Sequence, residues 1–208
     1  MLEQLGRKFA RFTTNRVVRR PRLWRLLRGL TRLQFNRIAG VWDQGRGSEA
    51  FAALKAALDA VDSSPRRVLD LGTGTGEAAF LAARRFPEAE IVGLDLAPAM
   101  IGEARRKTSS ELAGRVHFEE GDAERLPYPD GSFDLVVLAN MIPFFDELER
   151  VVAPKGRVVF SFSIGPGTPI YVPPERLRTE LSRRGFADFA EFAAGPATAL
   201  VARKESRE

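Results

Sequence analysis

Val68-Leu69-Asp70-Leu71-Gly72-Thr73-Gly74-Thr75-Gly76-Glu77 is the stretch on which the fold turns. Arg67 to Leu71 is a short apolar run halted by glycines, the pattern of a buried strand. Glu77 to Phe86 follows with helical character and stops at Pro87. Glycines between a strand and a helix let a ligand come close to the backbone, and a helix entry offers N–H groups to an anion.

Working outward, the alternation repeats. Ile91 to Asp95 reads as a second strand, and Pro98 suits the first turn of a helix running through Arg106. Arg115 to Phe118 is a third strand, and Phe133 to Ala139 is a fourth, apolar throughout. Phe144 to Val152 reads as a helix and Arg157 to Phe162 as a fifth strand. Continuously apolar strands alternating with helices predict a parallel sheet covered on both faces. Right-handed crossovers then give a Rossmann-like, doubly wound α/β sheet, with its ligand at the carboxyl ends of the central strands. Pro174 to Arg184 predicts a late helix closed by Gly185. Strands near 188–193 and 197–203 flank the turn Gly195-Pro196, as in an antiparallel hairpin.

Two details oppose a dinucleotide site. The glycines are spaced Gly-x-Gly-x-Gly, and the position where the dinucleotide fingerprint needs its third glycine is Glu77. Asp70 stands just before the turn, where a carboxylate would repel a pyrophosphate and attract an amino group. S-adenosylmethionine has an α-amino group, a carboxylate, a sulfonium and no phosphate, and fits that environment better. Asp95, ending the second strand 19 residues after Gly76, is placed to accept from both ribose hydroxyls. Asp122 in Gly121-Asp122-Ala123 can accept from the adenine amino group while the Ala123 N–H donates to a ring nitrogen. Leu96 and Met100 can supply apolar faces for the base. Gly72, Thr73, Gly74 and Gly76 complete the candidate cofactor loop.

These segments resemble class I S-adenosylmethionine-dependent methyltransferases, in particular the group that includes ubiquinone/menaquinone-biosynthesis methyltransferases. The motifs are VLDLGTGTG, IVGLDLAPAM, GDAERLPYPDGSFDLVVLAN and ELERVVAPKGRVVFS, in that order, and the likeness covers roughly residues 36–203. It implies a seven-stranded sheet with an antiparallel last strand. It also implies cofactor contacts at Asp70, Gly72, Gly74, Asp95, Asp122 and Ala123, and at Ala139 or Asn140 after the fourth strand. Phe35 to Asp43 is similar to the family's entry segment, which makes Trp42 the candidate to close over the cofactor. Asn140 and, less strongly, Phe144 are the candidate acceptor contacts, although Phe144 and Phe145 read more readily as helix core. Asn140-Met141-Ile142-Pro143 lacks the Pro-Pro pair of amino-methylating enzymes, which argues against nitrogen methylation by that device.

Composition limits the alternatives. The 208 residues suffice for one α/β domain and a short extension. With no cysteine and one histidine, His117, thiolate and histidine metal sites are not expected. His117 reads as a half-buried strand residue, so no catalytic base stands out. No apolar run approaches the roughly 20 residues that cross a bilayer. The N-terminus lacks a signal-peptide core, and a cytoplasmic protein is the expectation. The net charge of +5 hides an asymmetry. Residues 1–40 hold eleven Lys or Arg and one acid, whereas the remainder holds 21 bases and 26 acids.

The chain therefore divides into a basic amphipathic arm, 1–40, and a cofactor domain, 41–208. In the arm, Leu23, Leu27 and Leu30, and likewise Leu26, Leu30 and Leu33, fall at helical spacing. The favoured role for the arm is a lid whose apolar side packs on the domain and whose arginines are solvated. Peripheral membrane contact is the second reading, and nucleic acid is disfavoured. Residues 163–174 and the arm are the expected acceptor walls. A small-molecule methyltransferase is the leading reading. A non-catalytic cofactor-binding protein and a nucleic-acid methyltransferase stay open beside it. The acceptor atom and oligomeric state are not legible.

Overall fold

The computed structural model describes residues 2–44 and 47–206. Seven strands form one sheet: β1 Arg67–Leu71, β2 Glu90–Asp95, β3 Val116–Glu120, β4 Phe133–Ala139, β5 Val152–Phe162, β6 Phe186–Ala194 and β7 Ala197–Lys204. Their order across the sheet is β3-β2-β1-β4-β5-β7-β6. The first four pairings are parallel, and β7 runs antiparallel to both β5 and β6. The expected sheet, with its reversed last strand, is what forms. Chain order reverses between β1 and β4, so a crevice opens beyond the carboxyl ends of those strands.

The interior strands are apolar on both faces because both faces are covered. Leu135 to Leu138 are buried without interruption, as are Val158 to Phe162. Alanine-rich α4 (Glu77–Arg85) buries Ala78, Ala79, Phe80, Ala82 and Ala83 against one face, together with α3 (Ala52–Asp59). On the other face, α6 (Phe145–Val151) and α7 (Pro174–Ser182) pack with Phe133, Phe160 and Leu177 in the larger core cluster. β5 begins at Val152, earlier than expected, and a register shift between Phe133 and Leu135 absorbs the extra residues. β3 lies at the sheet edge, and His117 on it is exposed rather than half-buried. The outer side of an edge strand has no covering helix to bury it.

The arm is two helices, α1 (Leu2–Val17) and α2 (Trp24–Ile38), joined by a short turn that Pro21 opens. Val17, Val18 and Trp24 are buried within the larger core cluster, so the arm shares the domain's core. α2 lies along α5 (Pro98–Lys107), where Phe35 and Ile38 pack beside Met100. The leucines of the arm have different fates. Leu27 packs inward, while Leu26, Leu30 and Leu33 face solvent. The arginines are likewise divided: Arg25, Arg28 and Arg32 pair with Glu124, Asp122 and Glu120 of the domain instead of being simply solvated.

Candidate active site

The glycine-rich turn is held to its neighbours by its own N–H groups. Those of Gly72 and Thr73 both donate to the Leu94 carbonyl, at 2.8 and 3.0 Å. The Gly74 N–H donates to Asp95 Oδ2 at 2.9 Å, and the Gly76 N–H to the Thr73 carbonyl at 2.9 Å. The expected cradle of open N–H groups is therefore absent from these four positions. A pyrophosphate uses such donors, so the wiring leaves it fewer of them in the turn. Glycine is required here for shape. Gly72 has φ +74°, and a Cβ on it would meet Met141 Sδ at 2.5 Å. Gly76 has φ +90°, and its Cβ would strike the rings of Phe118 and Phe80 at 2.9 and 3.0 Å.

Asp70 is fully buried behind this turn. Its Oδ2 accepts from the Thr73 hydroxyl at 2.6 Å, and its Oδ1 has no hydrogen-bond partner. Burial pushes its carboxyl up to about 7, outweighing the Thr73 bond and the pull of the nearby Ala79 N–H. Asp95 stands at the end of β2, with Oδ1 accepting from the Ala97 N–H at 2.8 Å and Oδ2 from Gly74. Burial raises its pKa too, against the pull of those N–H groups. Each Asp95 oxygen keeps acceptor capacity for one further donor.

Above these residues lies a cavity of about 910 Å³, its open mouth included. Gly72, Thr73, Gly74, Asp95, Leu96, Met100, Ala123, Ala139, Asn140 and Trp42 all line it. Four expected residues do not. Asp70 sits one layer behind the wall, and Gly76 faces Phe80 and Phe118 beneath the turn. Phe144, expected at the acceptor, is buried in the core with its ring 5.5 Å from Trp24 in an edge-on contact. The packing demand of the α6 entry claims that ring.

Asp122 is the fourth. Its Oδ1 accepts from the Trp24 indole N–H at 2.7 Å and from the Glu124 N–H at 3.0 Å; its Oδ2 accepts from Arg28 at 2.9 Å. A carboxylate offers about four acceptor positions, so one is left, on Oδ2, for an adenine amino group. The arm thus sets the orientation of the carboxylate. Trp24→Phe keeps the ring packing and removes the donor. Loss of a hydrogen bond to a charged group costs about 1.5–3 kcal/mol, part of which reaches the ligand. S-adenosylhomocysteine should bind the variant roughly tenfold more weakly by calorimetry; unchanged or tighter binding would refute this role.

Trp24, Thr31 and Phe35 of α2 and Ile170 of the 163–174 loop line the cavity, the two segments expected to wall it. Wall residues not singled out from the sequence are Asp43, Phe51, Thr75, Glu77, Met141 and Ile142. Asp43 accepts from the Thr75 hydroxyl at 2.7 Å and pairs with Lys107, which also pairs with Glu77. The available signal was the adjacency of Asp43 to Trp42, whose indole lies 3.3 Å from the Cβ position of Gly74. Asn140 adopts φ 53°, and its Oδ1 accepts from the Ser163 N–H and hydroxyl at 2.9 and 3.2 Å. Its amide oxygen is thereby saturated, and the amino group is what it can offer a ligand. The 163–174 loop is tied to the arm, with Arg7 and Arg11 donating to the carbonyls of Gly167, Pro166 and Thr168.

Among the described wall residues the ionisable side chains are all acids: Asp43, Glu77 and Asp95. The remainder of the wall is largely apolar or aromatic. Such a site suits a cationic, phosphate-free nucleoside better than a polyanion.

A family model described as "Methyltransferase domain" matches residues 68–159. A demethylmenaquinone methyltransferase of Deinococcus radiodurans is 47% identical over 111 residues, covering 50% of this chain and 46% of that protein. A malonyl-[acyl-carrier protein] O-methyltransferase of Halorhodospira halophila is 42% identical over 118 residues, covering 53% and 39%. The chain spans about half the length of the curated relatives it matches. Among solved structures, human N-acetylserotonin methyltransferase in complex with SAM superimposes with a TM-score of 0.64 at 22% identity, covering 88% of this chain and 58% of that one. A SAM-dependent methyltransferase from Aquifex aeolicus gives 0.62 at 19% identity, covering 81% and 97%.

Proposed function

We propose, from the premise that this chain carries a class I S-adenosylmethionine-dependent methyltransferase domain, that it methylates a small, largely apolar acceptor. The observation that carries the reading is the cavity at the crossover of the sheet, whose ionisable wall residues, among those described, are all acids and which an aromatic-rich arm partly covers. The chain's residues fit the cofactor. Asp95 retains acceptor positions for the ribose hydroxyls, Asp122 keeps one for the adenine amino group, and Leu96 and Met100 flank the base. Buried Asp70 stands behind Gly72 and Thr73, where the ammonium of a bound cofactor would draw its carboxyl towards the ionised form.

When bound, S-adenosylmethionine supplies an electrophilic methyl group on a sulfonium. The protein's share is alignment and dryness. Trp24, Phe35, Trp42 and Ile170 shield the cavity from water, and the Asn140 amino group can orient an acceptor from the end of β4. Holding two reactants in line contributes several kcal/mol, up to about 7–11 in ideal cases. Asp43 and Glu77 share Lys107 as an ion-pair partner, so neither stands apart as a free base. The acceptor therefore brings its own nucleophile. Met141, Ile142 and Ile170 favour an apolar or flat one, quinone-like in character. The names of the relatives, demethylmenaquinone and malonyl-[acyl-carrier protein] methyltransferases, are consistent with a small-molecule or carried acyl acceptor. This reading takes the enzyme to be cytoplasmic, with the arm as a cover over the cavity.

The test is transfer of a labelled methyl group from S-adenosylmethionine into an organic extract of metabolites and lipids. Time-dependent label in an extracted product, lost in Asp95→Ala, is expected. Tight binding of S-adenosylhomocysteine with no transfer to any fraction would favour a non-catalytic binding protein. Transfer to nucleic acid alone would overturn the small-molecule reading.

A further inference from the structure

The outward face of α2 has no use in the cofactor site. Leu26, Leu30 and Leu33 stand there 77%, 56% and 46% exposed. Their spacing, with Arg37 continuing it, places all four on one side of the helix. The opposite side carries Trp24, Thr31 and Phe35 into the cavity wall. Isolated exposed leucines are ordinary, but a row of three along one helix is not.

A second observation is independent of the first. Where α1 ends, Asn15, Arg16, Arg19 and Arg20 line an open cleft. Arg16 also lies over the ring of half-exposed Phe12, 5.2 Å from its centre. Among the described residues, none of Arg16, Arg19, Arg20, Arg22 and Arg37 forms an ion pair, whereas Arg25, Arg28 and Arg32 of the same arm do. The arm therefore presents unpaired guanidinium groups close in sequence to an unpartnered apolar row.

We infer that this face of the arm docks on an anionic lipid surface. Leucines of an interfacial helix enter the boundary between headgroups and acyl chains, and flanking arginines stay among the phosphates. Anionic headgroups complement the cleft, and each basic group near such a surface adds to the attraction. Nucleic acid would complement the arginines but leave the leucines in water. A second copy of the chain would bury the leucines but bring arginine against arginine. One helix then has its inner face on the cofactor cavity and its outer face on lipid. The consequence that a bilayer-dissolved acceptor reaches the cavity along α2 rests on the methyl-transfer reading; the docking itself does not.

The full chain is floated with phosphatidylcholine vesicles and with vesicles containing phosphatidylglycerol. Binding to the anionic vesicles, weakened by salt, is expected. Leu26→Gln/Leu30→Gln/Leu33→Gln and, separately, Arg19→Glu/Arg20→Glu should each lower the partition coefficient about tenfold or more. Both variants should still bind S-adenosylhomocysteine, which separates failure of docking from failure of the cofactor site. No flotation of the wild type, or unchanged flotation of the leucine variant, overturns the proposal. So does a leucine-dependent dimer in solution, or preferential binding to nucleic acid over vesicles.

Discussion

Asp95→Ala is expected to raise the dissociation constant of S-adenosylhomocysteine on the order of 100-fold, with the fold intact. Two hydrogen bonds from ribose hydroxyls to a carboxylate are lost, each worth about 1.5–3 kcal/mol. The same substitution releases the Gly74 N–H from Asp95 Oδ2 and the Ala97 N–H from Oδ1. It thus loosens the turn that shapes the cavity as well as removing the acceptor. Calorimetry reads the affinity and far-ultraviolet circular dichroism reads the fold. Asp95→Asn, which keeps one acceptor oxygen, should fall between the two. An Asp95→Ala protein that binds with near wild-type affinity would remove the central acid from the cofactor site.

Asp70 should make the stability of the ligand-free protein fall as pH rises from about 4 to about 7. Its carboxyl titrates near 3.8 unfolded and is pushed up to about 7 by burial in the folded chain. Between those values the folded chain holds one proton more than the unfolded chain, so stability is full below the lower value and is lost through the upper one. At about 1.4 kcal/mol per pKa unit the whole window is worth about 4 kcal/mol. Other carboxylates slope the opposite way, so the quantity to measure is the difference between wild type and Asp70→Asn in urea unfolding. Asp70→Asn should gain on the wild type across the window. A parallel pair of pH profiles would show that the carboxyl ionises at an ordinary pH. An ammonium against Gly72 and Thr73 favours the carboxylate, so saturating S-adenosylhomocysteine, which keeps the amino-acid ammonium though not the sulfonium, should flatten the difference.

Parts of the site were legible because they ride on local pattern. Gly72, Thr73, Gly74, Asp95, Leu96, Ala123, Ala139 and Asn140 follow directly from strand ends, and the ends of parallel strands share one edge wherever their side chains point. Phe144 fits a pocket wall or a core in sequence, with helix core the stronger of the two readings, and the structure buries it. The core won, since Trp24 and Phe145 already close around it. Asp122 was read correctly as a strand-end acid, but its partners were not. Trp24 lies 98 positions away, and nothing local announces an indole donor that arrives from another helix.

By itself the sequence determined the doubly wound sheet, its reversed last strand and the row of acids along one edge. Those features follow from short-range periodicity, from glycine at tight turns, and from the handedness of strand crossovers. Only the tertiary structure decided which of the arm's leucines face the core, that Asp70 lies behind the wall, and that the glycine-turn N–H groups are already spent. These outcomes depend on which donors and surfaces meet across the fold, and amphipathic spacing is the same whether a helix turns its apolar row inward or out.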